Sequence, residues 1–144
     1  MYKRILVPLE NGPADKAILK HVTGLAKLLG SEVLLLHVAD GWAARNMEQL
    51  NLRESQEMKD DRAYLERMSQ DLRQAGVNVD AVLAAGDPAE EIAAAAEREK
   101  VDLIAMATHG HSLLGDVVHG TTATALRHVS RIPILMVRAP APAP

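Results

Sequence analysis

Apolar positions along this chain follow two periods, and the switch between them lays out the elements. Five short aliphatic runs, at 4–8, 32–38, 79–84, 101–107 and 132–137, have the length and near-continuous hydrophobicity of strands covered on both faces. Between them apolar residues recur every three or four positions, as on one helix face. Ile18, Val22, Leu25 and Leu29 make the first stripe, opened by Gly12 and Pro13 and closed by Gly30. Met58, Leu65, Met68, Leu72 and Ala75 make the second, which stops at Gly76. Asp87-Pro88-Ala89-Glu90 starts the third: Asp87 can cap, Pro88 fits the first helical position and Glu90 can reach back to the cap. A last helical pattern begins at Gly120 and runs through Ala123, Leu126 and Val129.

Strand–helix alternation repeated in this way predicts an α/β fold, an open, doubly wound five-stranded parallel sheet with helices on both faces. Pro133 lacks the N–H that a central ladder uses, so the fifth strand belongs at an edge. The domain is expected over residues 1–138, with the Ala/Pro stretch 139–144 an extended, disordered tail. A polar connection from Asp40 to Arg53, holding the only Trp, is long for a structureless loop and reads as a functional or mobile segment.

Composition narrows the chemistry. The length of 144 residues suits one domain, and 48% hydrophobic with 24% charged residues is an ordinary soluble balance. Aromatics are only 2%, without Phe, so the core must be aliphatic. A net charge of −3 without a Lys/Arg cluster gives no electrostatic case for nucleic acid. The absence of Cys excludes disulfides, Cys-based zinc sites and thiol catalysis. Neither a signal peptide nor a span-length apolar run is visible, so membrane insertion is not expected and the cytoplasm is.

In open α/β sheets ligands bind beyond the carboxyl ends of the strands, where the strand order reverses. The stretch 107–122, ATHGHSLLGDVVHGTT, starts where the fourth strand ends. Gly110 and Gly120 allow backbone amides close to an anion, a helix starting at Gly120 would aim its free N–H groups there, and Thr121 and Thr122 add hydroxyls. That is a phosphate-cradle reading. His109, His111 and His119 in the same stretch allow a metal reading, although no carboxylate at helical spacing completes the set. A third reading is a loop that needs glycine only for its turns. His37 lies inside an apolar strand, as a satisfied core histidine would, and His21 and His128 fall on helices without a partner pattern. No G-x-S-x-G, Walker or G-x-G-x-x-G motif occurs, and Glu10 and Asp116 have no visible partner for phosphoryl transfer.

These residues resemble the universal stress protein (UspA) superfamily over nearly the whole chain, Lys3 to Arg138. That family's nucleotide motif is G-x2-G-x9-G-[ST]; here Ala107-Thr108-His109-Gly110 is followed, after nine residues, by Gly120-Thr121. ILVPLENGPADKAI, LLLHVAD, GDPAEEI and SRIPILMVR resemble its other landmarks, in order. The first motif glycine is Ala107 here, and the family's usual Asp after the first strand is Glu10.

The resemblance implies a Rossmann-like sheet of strand order 3-2-1-4-5 and an adenine nucleotide, ATP or AMP with Mg as its accompanying ion. It implies that Pro8, Leu9 and Glu10 flank the adenosine and that the backbone of Val38 meets the adenine. Met106, Ala107, Gly110, Gly120, Thr121 and Thr122 would surround the ribose and phosphates, with Thr108, His109 and His111 in the same loop. It also implies a homodimer through the fifth strand, at Ile132, Ile134, Leu135, Met136 and Val137. The expected role is stress-response binding or regulation, with at most very slow ATP hydrolysis and an unknown protein partner. The alternative is a dimeric interaction module without useful nucleotide affinity.

Overall fold

The computed structural model describes residues 1–40, 56–109 and 122–140. The strands are β1 (Arg4–Leu9), β2 (Glu32–Asp40), β3 (Val79–Gly86), β4 (Leu103–His109) and β5 (Ile134–Ala139). The helices are α1 (Asp15–Leu29), α2 (Gln56–Gln74), α3 (Pro88–Arg98) and α4 (122–129). All pairings are parallel and the sheet order is β3-β2-β1-β4-β5, the doubly wound arrangement expected.

Side-chain alternation on the strands sorts two cores. Ile5, Val7, Val33, Leu35 and Ala105 face α1 and α2, where they meet Ile18, Val22, Leu65 and Leu72. Leu6, Leu34, Leu36 and Ile104 face the other way, against Ile92, Ala95 and Ala96 of α3 and Leu126 of α4. The small residues of α3 let that helix sit close to the sheet. Each fully buried Leu or Ile contributes roughly 1.5–3 kcal/mol, which is how a core without Phe suffices. On α1 the buried stripe includes Leu19 and Ala26, whereas Leu29 at the helix end is exposed.

Caps close the helices as their sequences indicate. The Asp87 carboxylate accepts the Glu90 N–H at 3.0 Å, with Pro88 at the first helical position. Gly30 ends α1 in the left-handed region at φ 70°.

The strands differ from the apolar runs chiefly at their carboxyl ends, where β1, β2 and β3 pair for one or two residues more. Hydrophobic runs report burial, while ladders report backbone pairing, which Ala85, Gly86 and Asp40 continue without large apolar side chains. At the start of the fourth run, the Val101 N–H goes to the Ala96 carbonyl at the end of α3, so β4 begins at Leu103. Pro133 stands just ahead of β5, its carbonyl accepting the Ile104 N–H at 3.0 Å. β5 is an edge strand and takes in Ala139, buried and paired with His109, although that residue was read as the start of the tail.

Candidate functional site

A proline opens the site. The Arg4 carbonyl accepts from Asp102 N–H on the β4 side, so by alternation the backbone groups of Leu6 and Pro8 also face β4. Pro8 has no N–H to give. The β1–β4 ladder indeed stops at Leu6↔Ile104, whereas on its other side β1 stays paired with β2 through Leu9↔His37. The two central strands therefore part at their carboxyl ends, at the point where the strand order reverses.

A cavity of about 240 Å³ lies there. Of the residues singled out from the sequence, Pro8, Leu9, Glu10, Val38, Met106, Ala107 and Thr122 line it. Thr108 is half-buried on β4 and is not among the lining residues; the backbone of His109 ends β4. Gly110, His111, His119, Gly120 and Thr121, and with them most of the phosphate-cradle and metal readings, lie outside the described residues. So does the connection from residue 41 to 55. Among the described residues no group of three or more His, Asp or Glu gathers as a metal-ligand set.

The cavity also takes in Ala14, Asp15, Leu36, His37, Pro88 and Ile92, which sequence reasoning had not assigned to it. Asp15 is the most consequential. It is only 3% exposed, and its carboxylate accepts the N–H groups of Glu10 (3.1 Å), Asn11 (2.8 Å) and Gly12 (3.3 Å) and the Tyr64 hydroxyl (2.6 Å). The β1–α1 turn, with Asn11 at φ 60°, thus wraps an internal anion at the start of α1, where the helix dipole favours negative charge. Burial, then the hydrogen bond to Asp15 and its charge, push the Tyr64 phenol well above its ordinary range.

His37 forms the wall beside it. Its Nδ1 lies 2.8 Å from the Leu9 carbonyl, which can only accept, so Nδ1 carries a hydrogen. Its Nε2 lies 3.1 Å from Asp61 of α2, and the other Asp61 oxygen accepts from the Asn11 side chain at 3.2 Å. One polar network therefore joins the ends of β1 and β2 to both helices on that face. The core-histidine reading of His37 holds in that both nitrogens are engaged, yet the ring also borders the cavity. The signal available for this was register: His37 stands level with Leu9 at the strand ends.

The opposite wall is apolar, formed by Val38, Leu36, Ile92, Met106 and Pro88. Gly86 leads into Pro88 at φ 138°, and a Cβ there would come within 2.8 Å of the Glu91 side chain, so this turn admits only glycine without rearrangement. Among the described residues no Lys or Arg lines the cavity. It can hold an uncharged, flat, partly apolar group, while Thr122 brings the start of α4 to its rim.

The profile of the Universal stress protein family matches residues 1–138. A universal stress protein of Methanocaldococcus jannaschii is 30% identical, the alignment covering 96% of each chain. Its solved structure covers 97% of this chain and 98% of its own, with 31% identity and a TM-score of 0.82. The same fold occurs at 16% identity in a universal stress protein from Archaeoglobus fulgidus solved in complex with dAMP, with a TM-score of 0.69 and coverage of 94% and 98%. It occurs again at 14% identity in one solved in complex with cAMP, with a TM-score of 0.71 and coverage of 95% and 97%. A profile spanning almost the whole chain, a relative aligned end to end and a shared sheet order lead to one conclusion: the chain belongs to the universal stress protein family.

Proposed function

We propose that this protein binds an adenine nucleotide, ATP or AMP with Mg as the accompanying ion, at the parting of β1 and β4. It acts by binding or regulation in a stress response rather than by fast catalysis. The observation that carries the reading is the cavity opened by Pro8 at the switch point of the sheet, apolar on one wall and, among the described residues, lined by no Lys or Arg. Its volume falls below the roughly 300 Å³ at which drug-sized sites begin, which suits one planar ring system better than a whole nucleotide. In this reading adenine enters beside Val38 and Leu9, Glu10 meets the ribose, and the phosphates extend past Ala107 toward Thr108, His109, Gly110, His111, Gly120, Thr121 and Thr122. The dAMP and cAMP complexes of relatives support an adenylate ligand.

Slow turnover follows from how the titratable groups are used. Asp15 is held by three amides and Tyr64, and His37 by Leu9 and Asp61, so neither is free as a general base. Backbone cradling also stabilises substrate and transition state alike, which does not raise turnover. The protein acts in the cytoplasm as a homodimer through β5. Leu135 and Val137 pack on the α1-side core, whereas Met136 is 42% exposed on the edge strand. Met136→Lys is therefore a cleaner probe of dimerisation than Leu135→Lys. Light scattering should find a dimer at micromolar concentration and a monomer for M136K; a monomeric wild type would remove the dimer from this reading.

ATP at about 100 times its dissociation constant should stabilise the fold by roughly 2.7 kcal/mol, a melting shift of about 5–11 °C. Gly120→Asp should abolish that shift, and His109→Ala with His111→Ala should leave most of it. Zinc reproducing the shift, with the double histidine variant losing it, would favour the metal reading. No shift with ATP, AMP, dAMP or cAMP would favour the interaction module.

A further inference from the structure

Asp15 borders the cavity on its β1–α1 side, at the start of α1. In doubly wound sheets that turn, with a helix start behind it, is a common place for a phosphate. We propose that Asp15 is a specificity-determining residue of the nucleotide site: its carboxylate fills the anion nest of the β1–α1 turn, so a bound nucleotide lays its phosphates toward α4 instead. The proposal rests on the adenine-nucleotide reading above and names the residue that orients the ligand.

Three observations carry the assignment. The first is the nest. The N–H groups of Glu10, Asn11 and Gly12 converge on the Asp15 carboxylate at 3.1, 2.8 and 3.3 Å. Asn11 at φ 60° supplies the left-handed step that lets successive amides point to one side. Three consecutive amides aimed at one anion, beside the positive end of a helix, are what a phosphate finds in a first βα turn. Here the anion belongs to the chain. The second observation is closure: Asp15 is only 3% exposed, and the Tyr64 hydroxyl of α2 donates to it at 2.6 Å. A tethered carboxylate loses no translational freedom on binding, so a phosphate from solution competes with it at a disadvantage.

The third observation is the polarity of the cavity. Glu10 and Asp15 border it on the β1–α1 side, and among the described residues no Lys or Arg lines it to offset them. A phosphate on that side would meet like charge. Across the cavity Thr122, in the first described turn of α4, brings a hydroxyl and the positive end of a helix. The acidic side therefore suits the ribose hydroxyls, which donate, and the α4 side suits the phosphates, which accept.

The test titrates inorganic phosphate, adenosine, AMP and ATP into the full-length ¹⁵N-labelled protein. In the wild type, phosphate should leave the Glu10, Asn11 and Gly12 amides unmoved. ATP should shift Asn11 and Gly12 no further than adenosine does, while shifting Thr122 more. In Asp15→Ala, phosphate should move Asn11 and Gly12 saturably, and at about ten times its dissociation constant it should raise the melting temperature by about 3–6 °C. The affinity of AMP relative to adenosine should rise about tenfold over the wild-type ratio, as one added hydrogen bond to a charged group would give. Formate, a small carboxylate that can refill the nest, should return that ratio toward the wild-type value. A merely structural Asp15 would instead weaken AMP and adenosine together and leave the ratio unchanged, which overturns the proposal. ATP shifting the wild-type Asn11 and Gly12 amides beyond adenosine overturns it equally, and this comparison decides the question if Asp15→Ala does not fold. Should no adenine compound bind the wild type, the nucleotide reading fails and takes this proposal with it; binding with an unchanged ratio removes this proposal alone.

Discussion

The two ends of β1 are five residues apart and are held by opposite means. At the amino end β1 is paired on both sides, and the part-buried Arg4 reaches partly to largely exposed carboxylates: Asp80 at 3.2 Å, its side chain 71% exposed, and Glu32 and Glu99 at 3.4 Å. Asp102 accepts the N–H groups of Lys3 and Arg4 at 2.9 Å each. Burial pushes its carboxyl upward, but those donors, its own amide and the chain's amino terminus outweigh that and hold it below the usual range. At the carboxyl end the ladder to β4 is broken by Pro8, and buried carboxylates and loop amides supply the order that pairing supplies elsewhere. The end that borders the cavity gives up backbone pairing, and the side chains that replace it become hard to change. The exposed end can be altered freely.

Asp15→Ala tests that contrast at its strongest point. The substitution would leave three amides and the Tyr64 hydroxyl around a vacated carboxylate site, in a turn that includes Asn11 at positive φ. Each buried donor left unsatisfied costs about 1–3 kcal/mol, reduced where water enters, so a net loss of about 3 kcal/mol is expected. Urea unfolding measures it. A loss below about 1 kcal/mol, no larger than an exposed ion pair, would erase the difference between the two ends.

Asp15 also shows where the sequence stops being readable. The order of the elements, the cap at Asp87 and the two-faced core were legible because each rests on local periodicity or a short-range bond. Pro8, Val38, Met106 and Ala107 were named as candidates through family resemblance, and they line one cavity. Asp15 was not, because at the start of a helix it reads as an ordinary first-turn acid. Its burial comes from three amides behind it and from Tyr64, 49 residues away. Asp61 and His37 were hidden for the same reason, since their partners lie on other elements. Pro8 carried a usable signal: a proline in a central strand marks where the ladder on its N–H side must stop.

A second, smaller effect separates the ends by pH. Tyr64 is raised above its ordinary value of 10.0, so the folded state keeps the phenolic proton longer than the unfolded chain does. That stability is fully present below pH 10 and is lost as the pH rises from there through the folded value. Tyr64→Phe should cost about 1 kcal/mol at neutral pH through the lost hydrogen bond to Asp15. It should also flatten the alkaline limb of a stability profile taken from pH 8 to 11. An alkaline limb unchanged in Y64F would show that Asp15 is held by its amides alone.

The smallest effect belongs to the exposed end. Arg4→Met removes three ion pairs to partly or largely exposed carboxylates, each worth about 0–1 kcal/mol and screened by salt. The same change removes a liability, because Arg4 Nε is buried with no hydrogen-bond partner among the described residues and a methionine places only apolar atoms there. Met also keeps an unbranched stem to pack where the arginine stem packs. The gains and losses nearly cancel, so the net change should stay within about 1 kcal/mol and shrink further in about 1 M NaCl, where the Debye length is about 3 Å. Nucleotide-induced stabilisation should be unchanged, since the substitution lies at the far end of β1 from the cavity. A loss comparable to that of Asp15→Ala, persisting in high salt, would mean that the ionic end holds the sheet as firmly as the buried one, and the contrast between the two ends of β1 would fail.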